Sequence, residues 1–257
     1  MLGKYGDGNA LPLVSVVVPL FNYSSYIKWC IKSITHQSYD NWELIVVDDC
    51  STDGSLALAR SFESDRIKVI HLKKNSGYSV AKNEGIAASK GEFITCLDAD
   101  DMLTSNSVQE RVAVFLGKPE VEFVHAKALD VGSGTSLKQA YKKTKGQRKS
   151  PKIHAQTVMV RRSVYCKYGL YDEELRSRSD KEMWWRLFGK GCSGNHLVVK
   201  YFLDLDVAYY RIHSNSMMKK RRKDPKLQER LRKLLEHRFQ VRDTEGITNK
   251  NTRFLVA

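Results

Sequence analysis

The sequence predicts an α/β fold: a doubly wound, mostly parallel central sheet, then a less regular half and a C-terminal helix. Apolar, β-branched runs alternate with helical periodicity over the first hundred residues. Several of those runs end in polar side chains at positions that a parallel sheet would bring to one edge. The last of them, Phe93-Ile94-Thr95-Cys96-Leu97, leads straight into Asp98-Ala99-Asp100-Asp101.

Val14 to Val18 is β-branched and stops at Pro19, as a buried strand would. A helix follows near residues 26–36, with Ile27, Cys30, Ile31 and Ile34 at helical spacing. Leu44 to Val47 is a second buried strand, ending at Asp48-Asp49, and Ser51-Thr52-Asp53-Gly54 supplies turn and cap chemistry for a helix over 55–62. Residues 67–71 form a third strand, 79–89 a helix closed by Gly91, and 93–97 the fourth strand. Beyond these, 132–152 reads as a mobile Gly, Ser and Lys-rich loop and 155–160 as a strand. Glu182 to Phe188 is a short aromatic helix, and 198–202 and 207–210 are late strands. Residues 226–242 read as a basic amphipathic helix with Leu227, Leu231, Leu234, Leu235 and Phe239 on one face.

Composition narrows the function classes. The longest apolar stretch, Leu13 to Phe21, is interrupted by Ser15 and Pro19 and is too short to span a bilayer. The N-terminal residues 1–12 lack the apolar core of a signal peptide and read as a flexible lead-in. The five cysteines are widely spaced with no C-x-x-C pair, which argues against a zinc site and suits a reducing, cytoplasmic setting. A net charge of +14, concentrated in 142–152 and in Lys219 to Lys223, asks for an anionic partner: nucleic acid, an anionic membrane or a phosphorylated substrate. No RRM, KH or helix-turn-helix signature supports the first.

The acidic cluster carries the chemistry. Crowded carboxylates at the end of an apolar strand repel one another and resist desolvation. A divalent cation resolves both problems, since hard oxygen ligands suit Mg²⁺ or Mn²⁺; a helix N-terminus with Asp101 as its cap is the bland alternative. The other common occupant of such a sheet is a dinucleotide, held by G-x-G-x-x-G after the first strand. Here that strand runs into Pro19-Leu20-Phe21-Asn22-Tyr23, so any phosphate must be held by other means.

The motifs VSVVVPLFN (14–22), IVVDDCSTDG (45–54), NSGYSVAKNEG (75–85), LDADD (97–101), RSDKEMWWRL (178–187) and YRIHSNSM (210–217) occur in this order. Together they resemble the family 2 glycosyltransferases of GT-A fold. The resemblance implies a catalytic domain over 13–217, with a nucleotide-sugar-binding half at 13–101 and an acceptor and catalytic-base half at 102–217. Residues 218–257 then form a basic C-terminal helical extension. It implies an inverting, metal-dependent transfer of a sugar from a nucleotide-diphosphate donor, a UDP-sugar in the first instance, to a hydroxyl of a glycan or lipid-linked acceptor.

On the same resemblance, Pro19, Phe21, Asn22, Asp49, Asn75, Gly77, Lys82 and Asp98 hold the donor. Phe21 offers a face on which a base can stack, Asp49 an acceptor for an imide N–H, and Lys82 a cation for base or phosphates. Asp98, Asp100 and His213 would hold Mn²⁺ or Mg²⁺. Asp180 is the general base in a segment whose usual preceding Glu is replaced by Ser179; a surface ion pair with Arg178 or Lys181 is its structural alternative. Glu182, Trp184 and Trp185 are candidates for the acceptor side, Glu182 also as an alternate base. The basic runs suggest peripheral contact with an anionic membrane at its cytoplasmic face; no nucleic-acid partner is expected. A non-catalytic sugar-nucleotide-binding module is the competing class, against which the intact Asp98, Asp100 and Asp180 argue.

Overall fold

The computed structural model describes residues 10–142, 153–175, 179–188 and 198–214, together with Glu229 and Lys233. The basic run at 143–152 and the KKRRK run lie outside the described residues, as does nearly all of the expected C-terminal helix.

The first half alternates as its periodicity requires: β1 (Val14–Leu20), α1 (Ile27–Thr35), β2 (Trp42–Asp48), α2 (Ser55–Arg60), β3 (Ile67–His71), α3 (Tyr78–Ala88) and β4 (Phe93–Cys96). After these come β5 (Met102–Leu103), α4 (Ser107–Gly117), β6 (Phe123–Gly132), α5 (Leu137–Tyr141), β7 (Met159–Arg161), α6 (Arg162–Tyr168), α7 (Ser179–Phe188) and β8 (Lys200–Ile212). The strands make one eight-stranded sheet in the order β3-β2-β1-β4-β7-β6-β8-β5. Strands β1 to β4 pair in parallel, and β6 pairs in parallel with β8. Strand β7 is antiparallel to both β4 and β6, and β5 is antiparallel to β8.

Both faces of the sheet are covered, which is why β1 reads as a continuous apolar run rather than an alternating one. Val14, Val16, Val18 and Leu20 pack with Ile27, Cys30, Ile31 and Ile34 of α1 and with Val108, Val112 and Phe115 of α4. Val17 faces the other way, toward Ile86 of α3 and the aromatic cluster of α6 and α7. Helix α3 lies unusually close on that face because of Gly85: a Cβ there would stand 2.3 Å from Val17 Cγ1.

Three expectations need correction. The strand read at 155–160 is a 3-10 turn, Ala155–Thr157, followed by the short β7. The Thr157 hydroxyl donates back to the His154 carbonyl at 2.8 Å, and this local bond competes with the ladder. The two late strands are one, β8; its register against β6 shifts between His125 and Ala128, and the polar residues around Asp204 occupy that bulge. The expected loop after 132 contains α5, which is opened by a capping box between Ser136 and Gln139.

Gly85→Ala tests the tight seat of α3. Helix propensity favours Ala by about 1 kcal/mol, but overpacking against Val17 and Val47 opposes it by about 1–3 kcal/mol. With the 2.3 Å approach to Val17 placing the overpacking cost in the upper part of that range, urea unfolding is expected to show a net loss of stability of up to about 2 kcal/mol; a higher midpoint would mean that α3 is free to lift from the sheet.

Candidate active site

The carboxyl ends of β1, β2 and β4 meet at one edge, and the backbone is bent there to expose side chains. Asn22 and Cys50, each two residues past a strand, both take left-handed conformations with φ of 58° and 63°. Asn22 Oδ1 accepts from the Thr52 N–H at 2.8 Å, and its own N–H donates to Ser51 Oγ at 3.0 Å, so the two bends hold one another. Phe21 beside them is 40% exposed, an available aromatic face at the mouth of the edge. Pro19 lies within β1 opposite Val47.

The paired aspartates at the end of β2 divide. Asp48 turns inward, where Oδ2 accepts from Ser51 N–H and contacts His71 Nδ1 at 2.9 Å. Asp49 accepts the backbone N–H of Ser76 at 2.6 Å on Oδ1 and that of Gly77 at 2.8 Å on Oδ2. Each oxygen keeps a further lone pair. Gly77 has φ of 101°, a conformation that lets the chain turn into α3 while presenting its N–H to Asp49. Asn75 lies exposed on the same turn.

Asp98, Asp100 and Asp101 bring ligand atoms within 4.8 Å of one another. Tyr78 Oη donates to Asp98 Oδ1 at 2.6 Å, His213 Nε2 lies 2.8 Å from Asp100 Oδ2, and the Arg211 N–H donates to Asp101 Oδ1 at 2.7 Å. Burial, and then Asp100, push the Asp98 carboxyl up to about 7. Burial and the same neighbours also hold Asp101 well above the carboxylate range. The Tyr23 phenol is raised by burial and by the three carboxylates. Among the described residues, Asp101 Oδ2 and His213 Nδ1 are buried with no hydrogen-bond partner. Buried oxygen ligands so crowded fit a hard divalent cation.

Asp101 is not the helix cap that the sequence suggested; Asn106 precedes α4. It is instead fully buried at the foot of β8. Arg211 completes that anchorage, donating to the carbonyls of Asp100, Gly132, Ser133 and Thr135. Nothing in the YRIH motif separates this clamp from an exposed phosphate-binding arginine; only the fold shows Arg211 to be 1% exposed.

Across the edge, Asp180 sits in the first turn of α7. Lys82 Nζ donates to its Oδ1 at 2.6 Å, with the lysine side chain 0% and the aspartate side chain 28% exposed. Burial alone would lower the Lys82 pKa; Asp180 beside it reverses this and holds it above the ordinary lysine value. The lysine expected to meet the donor is therefore turned away from solvent and paired with Asp180, while Arg178 lies outside the described residues.

The acceptor-side candidates separate. Glu182 is buried, and both its oxygens accept from Arg186 in an i,i+4 pair at 3.2 and 3.1 Å. Trp184 is also core, edge-on to Phe123 at 5.0 Å. Trp185 is partly exposed, with Lys181 Nζ 4.3 Å from its ring centre.

Comparison with known proteins agrees with this geometry. Residues 15–168 match the model of glycosyl transferase family 2. The teichuronic acid biosynthesis glycosyltransferase TuaG of Bacillus subtilis (strain 168) is 29% identical over 81% of this chain and 82% of its own. The glycosyltransferase EpsE of the same organism is 32% identical over 83% of this chain and 77% of its own. Among solved structures, S. aureus TarS 1–349 in complex with UDP-GlcNAc superposes with a TM-score of 0.60 at 22% identity, covering 80% of this chain and 60% of that one. The complex with UDP gives the same TM-score over 90% and 72%. The fold is thus of the GT-A type expected.

The carboxylate crowding predicts a pH-dependent cost. A carboxyl whose folded pKa lies near 7, above an unfolded value of about 3.9, loses stability as pH rises between the two values. Asp98→Asn has no proton to lose and keeps an acceptor for Tyr78. In EDTA at pH 8 it is expected to be more stable than the parent by about 1–2 kcal/mol after allowance for solvent screening, with the gain shrinking toward pH 4. Thermal unfolding across that range checks it; a destabilised variant at pH 8 would show that the favourable contacts of the Asp98 carboxylate outweigh its repulsion by Asp100.

Proposed function

The chain belongs to glycosyl transferase family 2, and from that premise we propose an inverting, metal-dependent transfer of a sugar from a UDP-sugar to a hydroxyl acceptor. One observation carries the reading. The Asp98, Asp100 and Asp101 carboxylates gather within 4.8 Å at the strand ends, and a partly exposed carboxylate, Asp180, is held across from them by α3.

Asp98, Asp100 and His213 are the residues that would hold Mn²⁺ or Mg²⁺. Bound there, the cation would supply Lewis-acid neutralisation of the departing diphosphate. Phe21 stacks on the base and Asp49 accepts its imide N–H, which favours uracil. Asn22, Asn75 and Gly77 line the same edge as polar and close-approach positions.

Asp180 takes the proton of the acceptor hydroxyl as that oxygen attacks the anomeric carbon from the face opposite the leaving group. The bond from the anomeric carbon to the phosphate oxygen breaks with its electron pair remaining on the diphosphate, and the configuration inverts. Trp185 offers an aromatic face to a pyranose on the acceptor side.

The acceptor is a glycan or a lipid-linked sugar. Relatives named for building surface polymers, teichuronic acid for TuaG and colanic acid for WcaA of Escherichia coli, support that class. No helix among the described residues is long and apolar enough to cross a membrane. Peripheral attachment through the basic runs remains part of the proposal, and liposome flotation with and without anionic lipid tests it.

Two outcomes test the core of the reading. UDP should bind tightly only with Mn²⁺ or Mg²⁺, and Asp100→Asn should weaken that metal-dependent binding at least about tenfold in calorimetry. Asp180→Asn should lower transfer by about 100-fold or more while leaving UDP affinity nearly intact; wild-type turnover in that variant would falsify the assignment of the base.

A further inference from the structure

We infer that Lys82 is a positioning residue for the general base rather than a donor ligand: it fixes one oxygen of Asp180 so that the other faces the acceptor. The inference rests on the reading of Asp180 given above.

Lys82 cannot reach a donor from where it lies. Its side chain is 0% exposed, and its ammonium lies 3.7 Å from the Tyr171 ring centre and 5.0 Å from that of Tyr78. Its hydrogen bond goes to Asp180 Oδ1 at 2.6 Å. Asp180 keeps 28% of its side chain exposed, so the carboxylate is held from the protein side and open on the other. A rotamer-rich carboxylate in the first turn of a helix would otherwise sample several directions, and general-base catalysis falls steeply with misorientation.

The rest of the helix supports this arrangement. Ser79 Oγ donates to the Leu175 carbonyl at 2.6 Å. Asn83 donates to the Tyr171 carbonyl at 2.9 Å and accepts from the Tyr171 N–H at 3.0 Å. The segment leading to α7 is thus docked on the same face of α3 that carries Lys82. One turn earlier on that face, Tyr78 holds Asp98. A single helical turn therefore sets Asp180 relative to the donor-side carboxylate.

The test measures UDP affinity with Mn²⁺ by calorimetry. It also measures release of UDP, with water as acceptor, from the nucleotide sugar that gives the largest Mn²⁺-dependent thermal shift. Lys82→Met is expected to lower kcat about 100-fold, with KM for the sugar nucleotide and Kd for UDP within about twofold of the parent. Lys82→Arg should fall between the two. Lys82→Met combined with Asp180→Asn should be no slower than Asp180→Asn alone.

A tenfold weaker UDP affinity with kcat preserved would make Lys82 a donor ligand and overturn the inference, as would parental turnover in Lys82→Met. Should Lys82→Met fail to fold, Lys82→Arg decides. Intermediate turnover at unchanged Kd supports the inference, and parental turnover or raised Kd overturns it. Parental turnover in Asp180→Asn would instead overturn the assignment of the base.

Discussion

An ammonium with no exposed surface must be neutralised where it stands, and the site is built around that requirement. Lys82 is fully buried among aromatic rings, and its charge is met by Asp180. Removing one member of such a pair leaves an uncompensated charge, which is far costlier than the pair itself is favourable. The packing of α3, the path of the chain from Tyr171 to Leu175 and the start of α7 are all consistent with keeping those two groups together. Tyr78 makes the same helix responsible for Asp98. The burial that raises the carboxylates also makes their hydrogen bonds stronger and more directional.

The carboxylate edge is a compromise between folding and binding. Three acidic groups lie where an apolar strand leaves the core, and two of them, Asp98 and Asp101, are driven toward their protonated forms by burial and then by Asp100. Arg211 answers part of that charge through a backbone N–H and a guanidinium that ties the Asp100 carbonyl to the 132–135 turn. The left-handed bends at Asn22 and Cys50 are further local strain at the same edge. Strain and crowded charge persist where surrounding contacts over-determine them, and such places cluster at binding sites.

Much of this was legible in the residues. The parallel half follows from period and turn chemistry, and the gathering of Asp49, Asp98 and Asp100 follows from where parallel strands end. What could not be read was the direction of long side chains. Lys82 belongs to a motif that a sequence assigns to phosphate or base; its inward turn depends on Gly85 drawing α3 onto Val17 and on Tyr171 arriving from a distant part of the chain. Glu182 looked like an acid near a base, yet Arg186 four residues on was the readable sign of a helical ion pair. A bulge places polar residues within the continuous strand β8, and in sequence such an interruption reads as two strands. The Ser136 and Gln139 box was readable and marked a helix inside a segment dominated by lysine.

Helix α3 meets Asp49 through the turn at its start, Asp98 through Tyr78 and Asp180 through Lys82. The three carboxylates belong to different parts of the chain, two at strand ends and one in α7, so α3 is where they are tied to one another. A substitution that shifts this helix reaches all three groups at once, although it touches none of them in sequence.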